Sequence, residues 1–157
     1  YHIADSSMEI IVPTIYKLAK NKLYTLMDFM KETGLNNFWK STVANAVAQI
    51  ALIEPDRRPE VITWFEELLA AINRDFPSAA YTDAVLNGLI VPDLIDIDAT
   101  ELLPEIKTMY DNSFVDLLAC GDYSKVEKAM IEKRHSPFHE IKPDIKERYA
   151  LLRKFAE

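Results

Sequence analysis

The stretch "TVANAVAQIALIEPDRRPEVITWFEELLAAI", residues 42–72, decides how this chain is read. Val43, Ala46, Val47, Ile50, Ala51 and Ile53 recur at helical spacing and make one apolar face. Ser41 or Thr42 can offer the N-cap oxygen. Pro55 and Pro59 end this helix and open the next, because a first helical turn has no use for the N–H that proline lacks. Glu60 suits the positive end of that second helix. Val61, Trp64, Phe65, Leu68, Leu69 and Ile72 then form one face up to about Asn73, and Pro77 follows. So short a corner between two helices predicts an antiparallel hairpin.

A shift of 38 positions lays the same pattern on both flanks. Ala46 and Val47 fall on Ala84 and Val85; Trp64, Phe65 and Leu68 fall on Leu102, Leu103 and Ile106. In the other direction these second-helix positions land on Leu26, Met27 and Met30, and Ile50 and Ile53 land on Val12 and Ile15. Apolar positions repeat, although few residues are identical. Hairpins are therefore expected at about 8–33, 41–73 and 80–111, with C-terminal capping helices over about 114–157. One hairpin cannot bury both of its apolar faces, and stacking on the next does so. The expected fold is all-α: antiparallel hairpins stacked as a short right-handed α-α superhelix in one domain.

In the tail, Gly121 and Asp122 mark a turn before a helix at about 124–134. Pro143 starts another, with Ile145, Tyr149, Leu152 and Phe155 on one side. Pro13 either kinks the first helix or marks its start. Pro104 either bends a helix capped by Asp98 or begins the regular helix itself.

Composition agrees with helices. Three glycines in 157 residues leave little for the tight turns that sheets need. A net charge of −7 disfavours nucleic-acid binding. No apolar run reaches 18 residues, so no membrane span is expected. The single cysteine, Cys120, excludes an internal disulfide and fits a reducing, cytoplasmic setting.

The pieces "ANAVAQIAL", "DLIDIDATELLPEIK" and "GDY", spread over about residues 40–130, resemble a bacterial family of HEAT-like repeat proteins with no assigned function. The resemblance implies an all-α superhelix and carries over no catalytic residue. Deoxyhypusine hydroxylase, a HEAT-like enzyme, holds a pair of irons with repeated His-Glu pairs. This chain has one such pair, His139-Glu140, outside the repeating region.

Few residues suggest chemistry. His135, His139 and Glu140 in "RHSPFHE" are metal-ligating types, but Pro137 interrupts a helix there, and Ser136 stands where a zincin needs Glu. Asp93, Asp96 and Asp98 in "DLIDID" cluster like cation ligands without the order of an EF-hand. Cys120 is a nucleophile only if a base such as His135 or His139 lies near and its pKa is lowered. Phosphate-cradling and nucleophile-elbow glycine motifs are absent. Trp64 and Phe65 read as core, whereas Phe38 and Trp39 are the candidates for a partner site.

The expected function is a non-enzymatic helical-repeat scaffold binding another protein, with no cofactor. A metal- or thiol-dependent enzyme using His135, His139 and Glu140 or Cys120 is the first alternative. The second is an accessory module of a longer chain or oligomer, suggested by a first residue, Tyr1, that is not Met.

Overall fold

A computed structural model describes residues 3–135, with side chains from residue 9 onward. Through these residues the chain is helical and contains no strand. The helices are α1 (Ile3–Ala19), α2 (Leu23–Lys31), α3 (Asn37–Ile53), α4 (Arg58–Asp75), α5 (Ala84–Asp96), α6 (Leu103–Asp111), α7 (Leu117–Cys120) and α8 (Tyr123–Ile131). They lie in two rows. Along one row α1 packs on α3, α3 on α5 and α5 on α7; along the other, α2 packs on α4, α4 on α6 and α6 on α8. The rows meet through α2–α3, α3–α4 and α5–α8.

Local chemistry sets the helix ends. The cap of α3 is Asn36, whose side-chain oxygen accepts from Phe38 N at 2.7 Å. Ser41 and Thr42 are therefore not the N-cap: they lie inside the helix and return their hydroxyls to the Phe38 carbonyl. Asp83 and Asp122 cap α5 and α8 in the same manner as Asn36. Pro59 and Pro104 each sit in the first turn of a helix, so α6 begins at Leu103, after a 3₁₀ turn over Thr100–Leu102. Asp98 is not the cap of that helix. It occupies the loop with a left-handed φ of 53°. Pro13 lies within α1 and neither starts nor ends it. Pro92 lies within α5, where its ring denies the Gly88 carbonyl its usual partner. A Cβ on Gly88 would meet Ala119 Cβ and the Asp116 carbonyl at 2.9 Å, so α7 rests directly on the backbone of α5.

The core runs between the rows. Val43, Val47 and Ile50 of α3 meet Phe65, Leu68, Leu69 and Ile72 of α4, and Leu86, Ile90 and Leu94 continue it along α5. Trp64 and Phe65 are both buried, edge to face at 5.0 Å, and the Trp64 indole donates to the Leu23 carbonyl at 2.9 Å. Polar side chains also join successive elements of the rows. Glu54 accepts from the Tyr16 hydroxyl at 2.7 Å and from Lys20 at 3.1 Å. Arg57 reaches back to the Lys20 carbonyl at 2.8 Å. Arg58 reaches forward to the Asp98 carbonyl at 2.8 Å and grips Glu101 with two nitrogens at 2.6 and 3.0 Å.

One buried cation stitches three segments. Lys40 is 1% exposed, and its ammonium donates to the carbonyls of Glu32 at 2.5 Å and Tyr81 at 2.6 Å. Burial pulls its pKa below the ordinary lysine value, against the opposing pull of Glu32 and Asp83. Replacing Lys40 by Met keeps the stem volume and leaves two carbonyls unpaired. Lys40→Met is expected to lower stability by ~2 kcal/mol in urea denaturation. A gain in stability would show that the burial of the charge costs more than its two hydrogen bonds return.

Candidate functional site

The corner between α5 and α6 brings together three of the polar side chains that the sequence singled out, Asp96, Asp98 and His135. Here Ala51, Leu52, Arg58, Asp96, Ile97, Asp98 and His135 line a cleft of about 200 Å³. The His135 Nε2 lies 2.9 Å from Asp98 Oδ1. Arg58 holds the loop from the other side through the Ile97 and Asp98 carbonyls. A His–carboxylate pair can pass a proton to or from a hydroxyl or thiol beside it. Among the described residues lining this cleft there is neither.

The aspartates of "DLIDID" do not converge. Asp93 is buried between α5 and α3, where Asn45 Nδ2 donates to its Oδ1 at 2.6 Å. Asp96 lines the cleft, and Asp98 faces His135. Among the described residues no group of three or more His, Cys, Asp or Glu side chains is placed to hold a metal. His139 and Glu140 lie outside the described residues.

Cys120 is half-buried, with its Sγ 3.0 Å from the Tyr110 hydroxyl. Burial pushes its thiol up, the reverse of what a nucleophilic cysteine needs, and the Tyr110 hydrogen bond only partly offsets this. His135, the described histidine proposed as its base, is paired with Asp98 instead.

Phe38 and Trp39 stand at the first turn of α3. Their rings meet edge to face at 5.2 Å. Phe38 is partly buried, while Trp39 is 49% exposed, next to the exposed Leu35 in the α2–α3 corner. The wet edge therefore carries a large, orientationally fixed aromatic surface.

The sequence reading missed Lys40, Arg57 and Arg58. Lys40 had a legible signal: it shares a stripe with Ala44, Val47 and Ala51, and a lysine on an apolar stripe must find acceptors or reach solvent. The arginines had none for their reach along the rows, because the Lys20, Ile97 and Asp98 carbonyls and the Glu101 carboxylate belong to distant corners.

These residues define an all-helical protein whose polar side chains mostly tie one corner to the next. Comparison with family models, curated proteins and solved structures returns no match. Among the described residues no helix is long and apolar enough to cross a membrane.

Asp93 supplies a pH test. Desolvation pushes its carboxyl up to about 8; Asn45 opposes this, and Asp96 adds to it. The buried Asn45 Oδ1 has no hydrogen-bond partner. A neutral acid can give its proton to that oxygen, and an ionised carboxylate cannot. The native pKa lies above the unfolded value of ~3.9, so the folded state binds the extra proton and loses stability as pH rises from ~4 to 8. Asp93→Asn keeps a donor for Asn45 at every pH. It is expected to match wild type below pH ~4 and exceed it by ~2 kcal/mol at pH 9 in denaturant titrations. Parallel stability curves for the two proteins would refute this account.

Proposed function

We propose that the chain is a short HEAT-like repeat, a right-handed α-α superhelix that serves as a non-enzymatic scaffold for another protein. The single observation that carries the docking role is the half-exposed Trp39, locked edge to face on Phe38 beside Leu35. A pre-ordered aromatic on a rigid helix loses little entropy on binding, which is why Trp dominates interface energetics.

Two further features support the repeat reading. Each helix of a row packs on the helix two elements later, as a stacked array requires. Side-chain hydrogen bonds between successive hairpins span 38 residues from Tyr16 to Glu54, 37 from Arg57 to Lys20 and 40 from Arg58 to Asp98. The separations cluster around the period of the apolar pattern. The formal charge of −7 favours a basic partner, mainly through its rate of encounter.

Affinity capture with the wild-type chain and with Trp39→Ala, followed by titration of the recovered protein, tests the proposal. Trp39→Ala is expected to weaken binding by roughly thirtyfold, ~2 kcal/mol, with an unchanged melting temperature. Retention of every captured protein at wild-type affinity by both Trp39→Ala and Phe38→Ala would end the case for this edge.

A further inference from the structure

Three helices of the first row start side by side. Asn37, the first residue of α3, donates to both oxygens of Asp83, the cap of α5, at 3.0 Å. Asp116, the cap of α7, donates its N–H to the Ala84 carbonyl at 2.9 Å. Farther along, Asn45 bonds Asp93, so α3 and α5 run parallel, and the approach of Gly88 to Ala119 extends the same order to α7. The first turns of the three helices therefore make one edge. Large apolar side chains stand out along it: Trp39, Val85, Leu89 and Leu117 are exposed, and Leu118 is 98% exposed. Scattered apolar residues on a surface need no explanation, but a row of them along one edge marks a contact surface.

The same edge is acidic. Asp83 is exposed and accepts from the Asn37 amide and Leu86 N, and Asp116 accepts from Leu118 N. All these donors are neutral. Lys40, a cation drawn toward Asp83, is buried with its ammonium on the Glu32 and Tyr81 carbonyls. A carboxylate's full charge outweighs the half charge of the helix start that it caps. A second copy of the chain set edge to edge would bring Asp83 and Asp116 against the same carboxylates, so charge favours a cationic partner over self-association. Spacing selects the partner's shape. Packed helices lie ~8–10 Å apart, so the edge from α3 to α7 spans ~20 Å. Seven residues of a helix rise ~10.5 Å and return to nearly the same face. Apolar residues seven apart on one partner helix thus fall on α3, α5 and α7 in turn.

We propose that the starts of α3, α5 and α7 form a docking edge for an amphipathic basic helix of another protein, its apolar residues at seven-residue intervals laid on Trp39, Val85 and Leu118 and its lysines or arginines against Asp83 and Asp116. The proposal rests on the docking role of Trp39 and adds the chemistry of the partner.

Fluorescence anisotropy with a labelled synthetic helix of about 18 residues tests it. The peptide carries leucines seven apart flanked by lysines, and a control peptide has glutamate at each lysine. The wild-type chain is expected to bind the lysine peptide about tenfold more tightly than the control. Val85→Ser/Leu118→Ser is expected to weaken that binding about tenfold. Asp83→Asn/Asp116→Asn is expected to do the same, because asparagine still caps both helices. Asp56→Asn/Glu66→Asn removes the same charge from exposed positions in the α3–α4 corner and on α4, and is expected to leave binding unchanged. Equal binding of the two peptides by wild type would overturn the proposal. So would equal weakening by the two carboxylate pairs, the mark of net charge alone. Weakening by Trp39→Ala but not by Val85→Ser/Leu118→Ser would overturn the three-helix edge and leave the role of Trp39 standing.

Discussion

Two adjacent arginines hold this molecule in register. Arg57 and Arg58 sit at the corner between α3 and α4 and face opposite ways along the stack. One takes the Lys20 carbonyl of the preceding corner; the other takes the Ile97 and Asp98 carbonyls and the Glu101 carboxylate of the following one. Helix ends leave carbonyls without internal partners, and a planar guanidinium can satisfy several at once. The apolar rows supply most of the burial energy, but apolar contacts slide. The arginine corner fixes how far each hairpin is displaced from the next.

Polar groups, the buried Lys40 and Asp93 and the exposed Asp83, refine that arrangement where apolar contacts alone would be more permissive. Lys40 fastens the end of α2 and the segment before α5 to the start of α3. Asp83 does two jobs at once, capping α5 through Leu86 N and accepting the Asn37 amide with both oxygens. Asp93 and Asn45 bond farther up the same pair of helices. Each buried partner would cost free energy if left alone, so the alternative registers of α3 against α5 are penalised twice.

Helix type and the apolar faces of α3 and α4 were legible from residues 42–72 because a 3.6-residue period and proline punctuation are local signals. The placement of Trp64 and Phe65 in the core followed from the same stripe. Helix starts were less legible. Asn36 outcompeted Ser41 and Thr42 as the cap because the helix gains a further turn, carrying Phe38, by starting there. Asp98 looked like a cap from its spacing, yet Pro104 favours a first-turn position and moves the start of α6 past it. The candidate site was readable only as a set of residue types. That Asp98 would meet His135, and that Asp93 would turn inward to Asn45, depends on how hairpins rotate against one another, which no single-sequence periodicity encodes.

The contact at Gly88 has a mechanical consequence. Between α3 and α5 the spacing is set by side chains such as Asn45 and Asp93, which can be exchanged for pairs of other lengths. Between α5 and α7 a hydrogen atom on Gly88 is all that separates the helix from the Asp116 carbonyl. Sequence drift can therefore change the spacing of α3 and α5, whereas the α5–α7 joint is a hard stop of main chain against main chain. Any bending of the protein under load would concentrate upstream of that joint.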